Sequence, residues 1–374
     1  MSHPRAIGPA LRRPDLCLPA PLARAAALAA LMLLALAGCV ETELPDPPIA
    51  LADVCRPDLR ERFFALSHDE YRDDLWVVFI DVGQGDATWI RTPGTVGVDA
   101  AEILVDAGDD GRPSAPHVPD GGAAVLALMD AAGFSPGRRL DLLAVTHPDK
   151  DHYGGAAEVL DAYAVAAWLD PGRDVDAPTW RALRAAVAAE PDLRLLRPAW
   201  QTGLDGRGDR QTFDWGRDLE ATLLAADADA DDDNAASLVL SLRYRGVHVL
   251  LLGDAEAALE ARLLADPPPP ADVLRTGHHG GRGTASEAFL DAVLPADGRP
   301  RAAVISAGRR DGLPAPDTVD RLLARTGPGG LFRTDRADAG RTRRDAVDGD
   351  HVLLRVAGRD GAVDLCYLLP DEAT

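Results

Sequence analysis

The chain has 374 residues, 47% of them hydrophobic, with a formal net charge of −21 at pH 7. That length suits one large domain or two ordinary ones, and the apolar content suits a sizeable core. The acidity argues against a nucleic-acid coat protein and against adhesion to anionic lipid by charge.

The N-terminus reads as an address rather than as fold. Arg5, Arg12, Arg13 and Arg24 precede an apolar run, Ala25 to Gly38, too short for a comfortable membrane span. It ends in Leu36-Ala37-Gly38-Cys39, similar to a bacterial lipobox, which implies a signal peptide over 1–38 and lipidation of Cys39. A proline-rich acidic segment follows, so 39–57 is expected to be a tether and 58–374 the folded domain. Cys55 and Cys366 flank that domain and could pair in an oxidising compartment, or remain two buried thiols.

Within the domain, Leu75 to Thr92 predicts strand, Gly-rich turn, strand, and Glu102 to Gly108 a buried strand with Asp106 near its end. A loop containing His117 leads to a helix near 123–132. Leu140 to Thr146 is an apolar, β-branched strand, and Thr-His-Pro-Asp-Lys-Asp-His-Tyr-Gly-Gly, 146–155, follows as a loop with a helix after it. Further on, 164–170 reads as a strand, Ala177 to Glu190 as an amphipathic helix, and the stretch to Arg210 carries no clear pattern. The acidic run Asp227 to Asp233 reads as a solvated turn. Ala236 to Ala255 is a hairpin turning at Arg-Gly, with His248 a structural residue. A helix, a break at the four prolines 267–270, a strand into Thr-Gly-His-His-Gly-Gly, a strand at 302–308, a helix near 316–325 and three short strands complete the chain. Hairpins mixed with strand–loop–helix units, in two similar halves, predict two mixed sheets face to face with helices outside.

The chemistry concentrates at 147–152, where His147, Asp149, Asp151 and His152 stand at the end of a strand. Mixed imidazole and carboxylate donors suit Zn²⁺ or Mn²⁺. Asp106, Asp254 and the pair His278-His279 also end apolar strands, so all of them could meet at one sheet edge.

In this order the motifs resemble the metallo-β-lactamase superfamily, and more narrowly the hydrolase domain of ComEC-type DNA-uptake proteins. The resemblance rests on DVGQGD (Asp81 to Asp86), HPDKDHYGG (His147 to Gly155), NAASLVL (Asn234 to Leu240), LLLGD ending at Asp254, and HHGG beginning at His278. It implies a four-layer αββα sandwich and two divalent metal ions. One ion would take His147 and Asp149. The other would take Asp151, His152 and one of His278 or His279, with His278 favoured as nearer the strand end. Asp254 would bridge them, and Asp151, Asp254 and His279 would act on the reaction. Asp106 would brace the site, with Asp81, Gln84 and Asp86 supporting the same edge. Aspartate stands where the superfamily commonly has a histidine, at Asp149. The usual third-motif histidine is absent, and Asn234 is the nearest polar group.

The function implied is an extracytoplasmic, lipid-anchored hydrolase of phosphodiesters, including DNA, using a metal-bridging hydroxide. The alternatives are a hydrolase of another ester, such as a phosphocholine ester or a lactone, and a non-catalytic binding module retaining the fold. The arginines of 333–344 would form a phosphate-binding strip or, more simply, a solvated loop.

Overall fold

The structure is a computed structural model that describes residues 49–65, 73–94, 100–109, 121–196, 198, 210–216, 218–308, 312–336 and 350–368. The signal peptide, Cys39, His117 and most of the 333–344 strip lie outside the described residues. No helix among those described is long and apolar enough to cross a membrane.

Nine strands form the first sheet. They are β1 (Ile49–Val54), β2 (Leu75–Phe79), β3 (Thr88–Arg91), β4 (Glu102–Val105), β6 (Leu142–Ala144), β8 (Ala167–Leu169), β9 (Arg194–Leu196), β17 (Val352–Val356) and β18 (Val363–Tyr367), in the order β1-β18-β17-β2-β3-β4-β6-β8-β9. The second sheet runs in chain order through β10 (Gln211–Asp214), β11 (Leu219–Ala225), β12 (Val239–Tyr244), β13 (Val247–Leu251), β14 (Val273–Arg275), β15 (Ala302–Ile305) and β16 (Leu331–Arg333). A small parallel pair, β5 (Arg139–Leu140) with β7 (Ala164–Val165), stands apart.

Alternation along each strand divides the apolar side chains among three cores. On β2, Leu75, Val77 and Phe79 face the second sheet and meet Leu240, Leu242, Val249 and Val304. The alternate residues Trp76 and Val78 face outward onto helices, with Val125, Leu128, Trp180 and Leu183. The far side of the second sheet packs Leu250, Leu274 and Ala303 against Leu259, Phe289, Leu290 and Leu322 of the helices Ala257–Leu263, Glu287–Val293 and Pro316–Thr326. Helix, sheet, sheet, helix is the expected αββα sandwich. The hairpin β12–β13 turns at Arg245 and Gly246, both with positive φ (51° and 82°). Two such residues make a primed turn, whose twist matches the strands it joins.

Several expectations are corrected. Residues 49–54, assigned to the tether, form β1, which pairs in parallel with β18. Composition misses it because its sequence, Ile-Ala-Leu-Ala-Asp-Val, is only partly buried and becomes a strand by borrowing the hydrogen bonds of an edge. The unpatterned stretch contains β9, and β10 and β11 form an antiparallel pair before the acidic run. The acidic run is a largely solvated turn, pinned where Arg262 meets Asp227 and Arg173 meets Asp233. A disulfide joins Cys55 to Cys366, across 311 residues of chain.

Candidate metal centre

Chain direction brings the polar groups together. β4 and β6 are parallel neighbours, as are β13, β14 and β15. The carboxyl ends of these strands carry Asp106, His147, Asp254, His279 and Ser306. Ligands in α/β sheets bind at such ends, where loops leave the strands.

The 146–155 segment is tighter than the expected loop. A helical turn, Lys150–Tyr153, starts inside it, with His152 and Tyr153 N–H groups donating to the carbonyl of Asp149. That turn brings His152 inward and leaves Asp149 and Asp151 partly exposed, at 43% and 28%. Gly155 allows the close approach behind it, since a Cβ there would lie 2.3 Å from the Ala107 carbonyl oxygen. Gly85, at φ 141°, similarly seats the 81–86 loop against the carbonyl of Asp151.

Asp106 is fully buried with φ 61° and organises the rings. Its Oδ1 accepts the Thr146 N–H (2.7 Å), and its Oδ2 accepts the Thr146 hydroxyl (2.8 Å) and His152 Nδ1–H (2.8 Å). The Thr146 hydroxyl proton is thereby used, so its oxygen can accept from His147 Nδ1, 3.1 Å away. His279 Nδ1–H donates to the Ser306 carbonyl at 2.8 Å. Each ring is thus held with Nδ1 protonated and Nε2 turned into the site.

The inward atoms form one cluster. His147 Nε2 lies 3.5 Å from Asp149 Oδ2 and 3.8 Å from Asp254 Oδ2. His279 Nε2 lies 3.2 Å from Asp151 Oδ2, 3.3 Å from His152 Nε2 and 3.4 Å from Asp254 Oδ2. His152 Nε2 is 3.2 Å from Asp254 Oδ1. Two donors each about 2.1 Å from a tetrahedral ion stand about 3.4 Å apart, so these separations fit a metal. His147 Nε2 and Asp254 Oδ1 are buried without a hydrogen-bond partner, the state of ligand atoms whose partner is a cation.

Electrostatics agree. Burial alone would raise Asp254, yet the His152 and His279 imidazoles outweigh it and hold the carboxyl well below its usual range. Burial alone would lower His152, yet Asp254 and Asp106 hold it well above the usual imidazole range. The pocket favours positive charge, whether a proton or a metal ion carries it.

The structure changes one assignment. His278, favoured as the ligand, is 31% exposed and its Nδ1 faces Glu256 Oε1 at the rim. His279 is buried and takes the inward place. Both residues have positive φ (42° and 50°), so the backbone turns away from the extended path here and strand alternation no longer says which ring points in. Asn234 also belongs to the rim, its amide donating to Glu256 at 3.2 Å rather than reaching His147. Asp81 accepts the N–H groups of Gly83 and Asp350, and Gln84 accepts that of Gly308, so both fasten loops around the site. Asp86 pairs with Arg275 at 2.7 Å. Arg275 escaped the sequence reading, although a lone arginine ending the apolar strand before His278 was a signal. His248 is structural, bonded to Ser241 and near the Pro270 carbonyl.

The sequence matches the Metallo-beta-lactamase superfamily over residues 80–299. It is 29% identical over 244 residues to ComE operon protein 3 of Bacillus subtilis, covering 63% of this chain and 28% of that protein. It is 31% identical over 232 residues to Recombination protein 2 of Haemophilus influenzae, covering 62% of this chain and 24% of that one. The matched region thus spans about a quarter of each of these relatives. Among solved structures, the metallo-beta-lactamase fold protein YhfI from Bacillus subtilis is similar at 12% identity and TM-score 0.41, covering 70% of this chain and 96% of that one. Zn²⁺-bound PqqB from Methylobacterium extorquens is similar at 13% identity and TM-score 0.38, covering 67% and 85%.

Proposed function

The chain belongs to the metallo-beta-lactamase superfamily, and from that premise we propose that it is a two-metal phosphodiesterase working outside the cytoplasm. Family membership and the two competence-protein relatives support a metal-dependent hydrolase role. The observation that carries the finer reading is the facing pair His152 Nε2 and His279 Nε2, 3.3 Å apart. With both Nδ1 atoms donating elsewhere, the two Nε2 atoms converge on each other and on Asp151 and Asp254. Two protons there would repel each other, and a single metal ion would satisfy both nitrogens and both carboxylates.

His147, Asp149 and Asp254 would hold one ion; Asp151, His152, His279 and Asp254 would hold the other. Two divalent ions held by these residues would supply a water of lowered pKa and would offset charge developing on a phosphoryl group. Asp106 and the Ser306 carbonyl keep the imidazoles from turning. Asp149 and Asp151, at the partly exposed mouth, meet the substrate side, while the buried floor excludes water. The mixed nitrogen and oxygen donors favour Mn²⁺ or Zn²⁺ over Mg²⁺, which prefers near-octahedral oxygen and keeps its waters.

Resemblance to the DNA-uptake hydrolases makes DNA the leading phosphodiester. The reading includes a lipid anchor at Cys39, and the Cys55–Cys366 disulfide is compatible with an oxidising compartment. Metal analysis of the purified protein, with a hydrolysis screen over DNA, small phosphodiesters, phosphocholine esters and lactones, tests the chemistry. Two ions per chain and phosphodiester cleavage are expected. A metal-loaded protein that opens only lactones or other esters would overturn the substrate, and one without metal would overturn the centre. Cys39→Ser should release the protein from membranes, and unchanged membrane association would refute the anchor.

A further inference from the structure

Arginine is almost never fully buried unless paired, yet Arg275 is 1% exposed among apolar strands. It ends β14, in register between Leu251 of β13 and Val304 of β15. Its Nη1 donates to the Gly253 carbonyl and lies 3.7 Å from Asp254 Oδ1. Its Nη2 lies 2.7 Å from Asp86 Oδ2. Asp86 is in turn fastened to the first sheet's loops. Its N–H donates to the Asp151 carbonyl (3.1 Å), and its own carbonyl accepts the Gly108 N–H (2.9 Å).

The two sheets contribute different halves of the cluster. Asp254 and His279 follow strands of the second; His147, Asp149, Asp151 and His152 follow β6 of the first. Between the sheets lies an apolar core, which holds them together without fixing their register to a fraction of an ångström. Directional contacts must do that at the site floor. Arg275 links the two sheets: its Nη1 donates to the Gly253 carbonyl and its Nη2 forms an ion pair with Asp86, joining the strand that precedes His279 to the 81–86 loop, which in turn reaches the Asp151 carbonyl.

We propose that Arg275 is a positioning residue for the metal centre, holding Asp86 with one nitrogen and the Gly253–Asp254 turn with the other. It thereby keeps Asp254 aligned between the ligands of the two sheets. The inference rests on the metal-centre reading above. Arginine suits the task because its two terminal nitrogens reach two sites at once, one by a hydrogen bond and one by an ion pair, which the single nitrogen of a lysine cannot do. Deleting both members together removes the alignment without leaving one buried partner alone in the pocket.

The test is calorimetric titration of the metal-stripped full chain with Mn²⁺, beside its thermal unfolding without metal. Arg275→Met/Asp86→Asn should melt near the wild type yet bind Mn²⁺ about 10- to 100-fold more weakly, the usual effect of losing a residue that orients ligands. Arg275→Lys, which keeps the charge and loses the fork, should fall between. A control removes the remote pair Arg355–Asp74, 2.6 Å apart, as Arg355→Met/Asp74→Asn. That variant should lose stability and keep its Mn²⁺ affinity. Wild-type affinity in the Arg275/Asp86 double variant overturns the proposal, as does an equal loss in the control. Should the double variant not fold, Arg275→Lys decides, and unchanged affinity there is the overturning result. A wild-type chain that takes up no Mn²⁺ overturns the metal centre itself, and the positioning role with it.

Discussion

Asp106→Asn offers the sharpest test of how the centre is organised, because it changes one atom and reverses a proton. Asparagine tolerates the left-handed backbone found here at φ 61°, so the turn itself should survive. The amide oxygen can still accept the Thr146 N–H, but the NH₂ group then replaces the oxygen that accepts from the Thr146 hydroxyl and His152 Nδ1. Flipping the amide only moves the conflict to the Thr146 N–H. His152 must therefore turn Nδ1 into an acceptor and carry its proton on Nε2, 3.2 Å from Asp254 Oδ1. A protonated Nε2 cannot hold a metal. Losing the charge-assisted bonds should cost about 1.5–3 kcal/mol of stability, read by urea unfolding of metal-stripped protein. Metal affinity should fall about 10- to 100-fold, read by titration with Mn²⁺, and ¹⁵N NMR should show the changed His152 tautomer. Asp106→Ala should cost more stability, about 3–6 kcal/mol, since three buried donors lose their acceptor and alanine is strained at positive φ. An Asn variant with the wild-type tautomer and wild-type affinity would refute the reasoning.

Asp254→Ala should abolish binding of most of both ions, and His279→Ala should lose far more metal than His278→Ala; elemental analysis giving the opposite order would return the ligand role to His278. Replacing Cys55 and Cys366 together by alanine frees a loop of 311 residues, worth about 5–6 kcal/mol in the chain-entropy account; a change below about 1 kcal/mol in urea unfolding would refute it. Burial pushes the Glu102 carboxyl up to about 7 from 4.5, against the pull of Arg91. The folded state then holds a proton that the unfolded chain has lost, so stability is greatest below 4.5 and falls as pH rises to 7, by roughly 3 kcal/mol. Glu102→Gln should flatten that part of the profile, and an unchanged difference between pH 5 and pH 8 would count against it.

Much of this protein was legible in the order of its residues. Alternation and β-branching marked β2, β4, β6, β12, β13, β14 and β15, because those strands are buried on both sides and have to read as continuous apolar runs. The same logic placed Asp106, His147, Asp254 and the histidine pair at strand ends, where a polar residue stops an apolar run. Other strands left weaker marks. β1, β9 and β10 lie at sheet edges and bury little, so their sequences carry no strong period, and only pairing with a neighbour makes them strands. The C-terminal β17 and β18 complete the sheet begun by β2, a juxtaposition across more than two hundred residues that no local pattern encodes. At the site, residue types and spacing determined which elements of chemistry were present. Which of His278 and His279 faces inward was decided by two successive positive-φ residues and by the Ser306 carbonyl waiting on β15's far end. Arg275 likewise looks in sequence like one charged residue closing a strand. It acquires a partner only when two sheets, packed through an apolar core, bring Asp86 to within 2.7 Å of it.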